Sequence, residues 1–219
     1  MKNLHDESKL KNEELLGLLV HSYNNHLAAM MGYTELALLD HCDDLLKERL
    51  DLILASGTDA VALGKNILAA IGRLQIPTTT VDLIPLFGEL EKNSRVKLNI
   101  GSAIPELSQI NTNPAWFIDC MQDLLDFVIE YSNASTVFIE LSKLKKHQYF
   151  TVKIASNGIE LTKDETSQLF EPFYSSRQLQ GTKELGLAKT KGFFGQMRTT
   201  LEWRNDIGFV LQLPLCSGN

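Results

Sequence analysis

Between Glu13 and Asp40 the positions Leu16, Val20, Tyr23, Leu27, Met30, Thr34 and Leu38 recur at spacings of three and four, the stripe of an amphipathic helix. A polar turn, His41 to Asp44, interrupts the pattern, and a second helical stretch runs from Leu45 to about Arg73 with Leu50, Ile53, Leu54, Val61, Leu68 and Ile71 as its inward positions. The two stretches predict an antiparallel helical hairpin. At a rise of about 1.5 Å per residue each helix is roughly 40 Å long, and two such helices cannot shield both apolar stripes from water. Pairing of two hairpins into a four-helix bundle solves the problem, so a homodimer is expected. Gly57 and Gly64 weaken the second helix by about 1 kcal/mol each relative to Ala, a cost that close approach of the partner helix offsets.

Beyond the break Gln75-Ile76-Pro77-Thr78 the pattern changes to helices interleaved with short strands. Helices are predicted over Asp82 to Asn93, Pro114 to Ser132 (with Asn113 as cap and Pro114 at the first position) and Gly186 to Met197. Strands are predicted at Val96 to Ile100, Thr136 to Leu141, Tyr149 to Ala155, Thr199 to Trp203 and Gly208 to Leu213. The fold class is therefore α+β: a helical hairpin over residues 1–74, then a two-layer α/β sandwich over 75–219.

The chain has 219 residues, 44% of them apolar, enough for a sizeable core. Cys42, Cys120 and Cys216 are scattered, with no metal-ligand or disulfide spacing, which suits a reducing cytosol and predicts no metal site. The opening MKNLHDESKLKNEE is polar and no apolar run approaches the roughly 18 residues of a membrane span, so a cytoplasmic protein is expected. A net charge of -6 argues against nucleic acid and for a protein partner.

The chemistry concentrates at His21, beside the apolar seam of the first helix, with Asn25 one turn on. The runs His21-Ser22-Tyr23-Asn24-Asn25 and Gly32-Tyr33-Thr34-Glu35-Leu36, followed far downstream by Leu169-Phe170-Glu171-Pro172-Phe173-Tyr174-Ser175-Ser176-Arg177, resemble the H-box and F-box of two-component sensor histidine kinases. The resemblance covers nearly the whole chain. It implies a dimerisation and histidine-phosphotransfer hairpin followed by an ATP-binding sandwich, with His21 as phosphoryl acceptor.

Departures from the family pattern are informative. Ser22 stands where the family has an acidic base, and general-base assistance is worth about 10²–10⁴-fold. Glu130 falls opposite the magnesium-binding asparagine. In the segment Ser156-Asn157-Gly158-Ile159-Glu160, Ser156 replaces the adenine-binding aspartate, whose charged hydrogen bond is worth about 1.5–3 kcal/mol. Gln180, Thr182 and Glu184 occupy lid-glycine positions, and Gly186 alone remains. Glu130, Ser156, Gly158 and Gly186 thus read as a vestigial nucleotide site. The expectation is that ATP binds weakly or not at all, that the chain takes no cofactor of its own, and that magnesium is supplied by the receiver domain.

The resemblance then implies a histidine phosphotransferase of a phosphorelay, in which His21 moves a phosphoryl group between the aspartates of response-regulator receiver domains. An upstream sensor kinase is a further expected partner. Alternatives are a phosphatase in which Asn25 orients water, a non-catalytic pseudokinase adaptor, and an active ATP-dependent kinase. Plainer readings stand for other residues: His26 points to another side of the helix as a packed or solvated group, Lys143 to Lys146 form a solvated turn, Trp116 and Trp203 belong to the core, and Phe170, Phe173 and Tyr174 serve packing.

Overall fold

The computed structural model describes residues 2–40, 43–92, 95–101, 108–132, 135–143, 149–172 and 185–216, with side chains from residue 13 onward and residue 143 by its backbone alone. Two compact units are present, Met1–Leu74 and Gln75–Asn219.

The first unit is a hairpin of α1 (Lys2–Leu39) and α2 (Asp44–Ala70). Helix α1 reaches back through the polar opening of the chain. Asp43 caps α2 by accepting the Leu46 amide at 2.7 Å. At its other end Gly72, at φ +68°, turns the chain out of the helix while the Arg73 amide bonds the Leu68 carbonyl at 2.8 Å.

The seam between the helices has a spacing alternating strictly between three and four. On α1 it runs through Gly17, Val20, Asn24, Leu27, Met31 and Thr34, and on α2 through Leu50, Leu54, Gly57, Val61, Gly64 and Leu68, all buried or half-buried. Gly57 and Gly64 are where the helices approach most closely. A Cβ on Gly64 would lie 2.9 Å from Asn24 Oδ1, and one on Gly57 would lie 2.8 Å from Met31 Cγ. The helix-weakening glycines thus offset their cost in contact.

The inward stripe differs in part from expectation. Leu16, Tyr23 and Met30 on α1 and Ile53 on α2 are exposed, because only one of two adjacent apolar rows can face the partner helix. Leu19, Leu45, Leu46, Leu52 and Leu63 add to this uncovered apolar surface. A second correction concerns α2, which by length and composition is apolar enough to cross a membrane, contrary to the expectation that no such run exists. Its heptad seam and its exposed leucines together account for that composition.

The second unit is built on a five-stranded sheet in the order β2-β4-β5-β7-β6, comprising β2 (Val96–Ile100), β4 (Val137–Lys143), β5 (Tyr149–Ala155), β6 (Thr200–Arg204) and β7 (Gly208–Pro214). Strands β2 and β4 run parallel and the other pairs antiparallel. Two short strands, β1 (Thr79–Asp82) and β3 (Gln109–Thr112), form a separate antiparallel pair that periodicity does not reveal. Helices α3 (Leu83–Glu91), α4 (Pro114–Ser132) and α6 (Gly186–Gln196) cover one face of the main sheet, and α5 (Lys163–Gln168) is a short surface turn.

Alternation places Phe150, Val152 and Ile154 of β5 inward, where they meet Phe117, Leu124 and Val128 of α4 within one apolar core. Helix α4 begins as its sequence dictates, with Asn113 Oδ1 accepting the Trp116 amide at 3.1 Å ahead of Pro114. Trp203 is buried and Trp116 packs on the edge of the core, as expected. The basic turn after Lys143 lies outside the described residues.

Glycine substitutions separate the constraints. At Gly208, φ is +111° and a Cβ would lie 2.0 Å from the Ile154 carbonyl oxygen, a backbone atom that cannot swing away. Gly208→Ala is predicted to cost at least about 2 kcal/mol in chemical denaturation. Gly57→Ala, which meets only the flexible Met31 side chain, is predicted to change stability by less than about 1 kcal/mol as helix propensity compensates.

Candidate functional site

His21 and its neighbours occupy a surface fixed by the seam. With Val20, Asn24 and Leu27 turned toward α2, the 3.6-residue period places His21, Asn25, Ala28 and Gly32 on one flank of α1 and Leu16, Leu19, Tyr23 and Met30 on the other. His21, Ser22, Asn25 and His26 are all exposed. The Asn25 amide nitrogen lies 3.4 Å from His21 Nδ1. Ser22 makes no such contact among the described residues. A Cβ on Gly32 would meet nothing within 4 Å, so the surface beyond Asn25 is open. Leu18 and Leu36, 66% and 60% exposed, border the same face. The ring is thus presented to solvent, as a group that takes up and gives away a substituent must be.

In the second unit Ser156, Asn157, Gly158 and Ile159 form a tight turn at the end of β5. Asn157 and Gly158 have φ of +49° and +82°, and the Ile159 amide bonds the Ser156 carbonyl at 3.1 Å, the geometry of a type I′ turn. Turn chemistry alone therefore accounts for Gly158. Ser156 faces inward, its hydroxyl donating to the Asn205 carbonyl at 3.3 Å and its amide to the Ile207 carbonyl at 2.9 Å. Asn205 holds the following residues as well, accepting the Leu161 amide at 3.1 Å and donating to the Leu161 carbonyl at 2.8 Å. Glu130 is exposed on the last turns of α4. A cavity of about 310 Å³ opens between Tyr131 and Ser132 on α4 and Asn157, Gly158, Glu160 and Glu165.

Below the start of α6 lies a polar cluster that sequence reasoning missed. Lys189 is buried and its ammonium donates to Asp119 at 2.6 Å and Asp123 at 2.9 Å, both on α4. The Thr190 hydroxyl donates to the same Asp123 oxygen at 3.0 Å. Asp123 also abuts the first turn of α6, 3.4 Å from where a Gly186 Cβ would stand, which places a carboxylate at the positive end of that helix. Burial raises the Asp123 carboxyl above its ordinary range, because one ammonium serves two carboxylates and the deeper one bears the desolvation. For Lys189, burial pulls the ammonium down, but Asp123 and Asp119 outweigh it and the net shift is upward. Burial pushes the neighbouring Cys120 thiol up to about 12, so it is not a nucleophile at neutral pH. The available signal was the pair Asp119 and Asp123, four residues apart, together with Lys189-Thr190-Lys191 inside the mostly apolar run LGLAKTKGFFG.

Of the F-box run, Leu169 is buried and Phe170 packs against Phe209 at 6.2 Å between ring centroids. The Lys191 ammonium lies over the Phe170 ring at 4.9 Å and its pKa is lowered by desolvation there. Phe173 to Arg177, with Gln180, Thr182 and Glu184, lie outside the described residues. No group of three or more His, Cys, Asp or Glu side chains is placed to hold a metal ion among the described residues.

Residues 112–215 match the family model described as histidine kinase-, DNA gyrase B-, and HSP90-like ATPase. In fold the chain is similar to full-length ShkA in complex with AMPPNP, with a TM-score of 0.66 and 16% identity over 94% of this chain and 46% of that one. It is also similar to the Acinetobacter baumannii histidine kinase AdeS, with a TM-score of 0.55 and 16% identity over 86% of this chain and 95% of that one. The chain thus spans less than half the length of ShkA. The second unit has the fold of a histidine-kinase ATPase core.

These matches correct the expectation that the chain takes no cofactor. The matching family is an ATPase family and the ShkA structure is a nucleotide complex, so ATP is the cofactor the fold implies. The cavity wall suits the nucleoside part, with the Tyr131 ring and the polar groups of Ser132 and Asn157. Its charged lining, Glu160 and Glu165, does not meet a triphosphate, and residues 173–184, which precede α6, lie outside the described residues.

The buried cluster gives a stability prediction. Lys189→Met leaves Asp123 without its cation and is predicted to cost about 3–5 kcal/mol at neutral pH. A carboxyl whose folded pKa is raised contributes stability while protonated and loses it as pH rises through that pKa. Removing the cation raises it further, so the deficit should narrow on acidification toward pH 5, as read from denaturant midpoints.

Proposed function

We propose, from the premise that this chain joins a helical hairpin to a histidine-kinase-like ATPase core, that it serves a two-component phosphorelay as a histidine phosphotransferase. His21 accepts a phosphoryl group from the aspartate of one response-regulator receiver domain and passes it to another, and ATP enters no step of that exchange. The single observation that carries this reading is the exposed His21 ring on a flank of α1 that the hairpin seam leaves free. A neutral imidazole carries one ring nitrogen with a free lone pair, and an exposed one can offer it to phosphorus as a nucleophile. The bordering leucines, Leu18 and Leu36, supply apolar contact for a protein partner, which suits a receiver domain better than a small molecule.

The opposite flank of α1 supports homodimerisation. Leu16, Leu19, Tyr23 and Met30 leave water only if a second hairpin covers them, and a four-helix bundle formed there keeps His21 on its outside. Cys120 is buried and Cys216 half-buried as free thiols, which fits the reducing cytosol as working compartment.

Two experiments test this. Incubation with a receiver domain carrying labelled phosphoryl aspartate is predicted to label the chain, and His21→Gln to abolish the label. Free phosphate released without labelled protein would favour the phosphatase, no reaction would favour the adaptor, and label reaching His21 from ATP would favour the kinase. In light scattering the chain is predicted to be a dimer, and Tyr23→Lys with Met30→Lys to shift it toward monomer.

A further inference from the structure

Asn25 is the side chain that touches the His21 ring, and it does so at Nδ1, 3.4 Å away. A neutral imidazole has one proton on one nitrogen, so whatever holds Nδ1 decides the state of Nε2. An amide can present either of its two ends. With its NH2 toward the ring it donates to Nδ1, leaves the proton on Nε2, and ties up the sole lone pair. Turned by half a rotation, it sets Oδ1 in the same place, accepts Nδ1–H, and leaves the Nε2 lone pair facing solvent. Asn25 is exposed, and among the described residues no other hydrogen bond pins its amide, so both presentations are open to it.

We infer that Asn25 is the positioning residue that arms His21, doing by hydrogen bonding what the acidic neighbour replaced by Ser22 would do by charge. This rests on the phosphotransfer reading above. In the armed state the Nε2 lone pair forms the N–P bond. The P–O bond to the receiver aspartate breaks, and the aspartate leaves as a carboxylate with the electron pair. The ring becomes cationic and keeps its Nδ1 proton in the hold of Asn25 Oδ1. When a second aspartate carboxylate attacks phosphorus, the N–P electrons return to Nε2 and the ring is neutral again. With the amide reversed, neither nitrogen can attack.

The test uses the full chain labelled with ring-15N histidine, in alkaline buffer where the ring carries a single proton. His21 signals are identified by their loss in His21→Gln. In the unaltered chain His21 is expected to populate the Nδ1–H tautomer. Asn25→Asp, which can only accept, is expected to drive that population toward completion and speed labelling from a phosphorylated receiver about tenfold. Asn25→Ala is expected to lower both, labelling by about tenfold. Identical tautomer populations in all three chains would overturn the inference even if His21 is labelled. Tautomer shifts as expected with no label on any of them would remove the phosphotransfer reading and the arming role with it, leaving only the hydrogen bond between Asn25 and the ring established. A population shift with labelling unchanged would overturn the arming role.

Discussion

The close seam between α1 and α2 is the constraint on which the rest depends. At Gly64 and Gly57 a Cβ would fall within 3 Å of the Asn24 and Met31 side chains, so the close seam favours one rotational setting of α1 against α2. Each residue of slippage would turn α1 by about 100°. One step would carry Val20 and Leu27 out of the seam and swing His21 away from its present flank. The orientation of the His21 ring thus follows from a seam that two glycines on the other helix, about forty residues along the chain, help to close.

The same economy runs through the sheet unit. Its core is closed by aromatic rings, with Phe127 stacked on Tyr131 at 4.2 Å and Trp203 edge-to-face against Phe209 at 4.9 Å. Among the described residues Lys189 is the buried charged side chain, and its pairing with Asp123 and the exposed Asp119 joins α6 to α4 beside the aromatic contacts of Phe117 with Phe194 and Trp116 with Phe193. A buried arrangement of this kind adds little net stability compared with well-packed apolar residues, but it strongly penalises loss of one member. It therefore holds the start of α6, just after residues 173–184, in a defined place.

Most of the fold was legible in the sequence because its strands alternate cleanly and its long helices have strong periods. Asn113-Pro114 announces α4, and the alternation of Tyr149 to Ala155 announces β5. Strands β1 and β3 were not legible, since four polar-rich residues acquire strand character only by pairing across about thirty residues of chain. Tyr23 and Met30 fit the helical stripe by spacing alone, and spacing does not tell which of two neighbouring apolar rows meets the partner helix. Helix α5 had its signal in Thr162 and Glu165, whose side chains cap each other's backbone amides. His21 and Asn25 were legible as a pair one turn apart. The contact between them, and the cluster around Lys189, needed coordinates. The cofactor expectation failed for another reason: single-residue departures at Glu130, Ser156, Gln180, Thr182 and Glu184 do not outweigh a family match spanning residues 112–215.

The central claim is that His21, on its outward flank, is where a phosphoryl group rests. Mapping the modified residue by mass spectrometry under neutral conditions, after exposure to a phosphorylated receiver domain, addresses this directly. The account predicts an acid-labile phosphoryl group on His21 and none on His26, which lies on a different side of the same helix. A phosphoryl group found on His26, or on a residue of the sheet unit with His21 untouched, would contradict it.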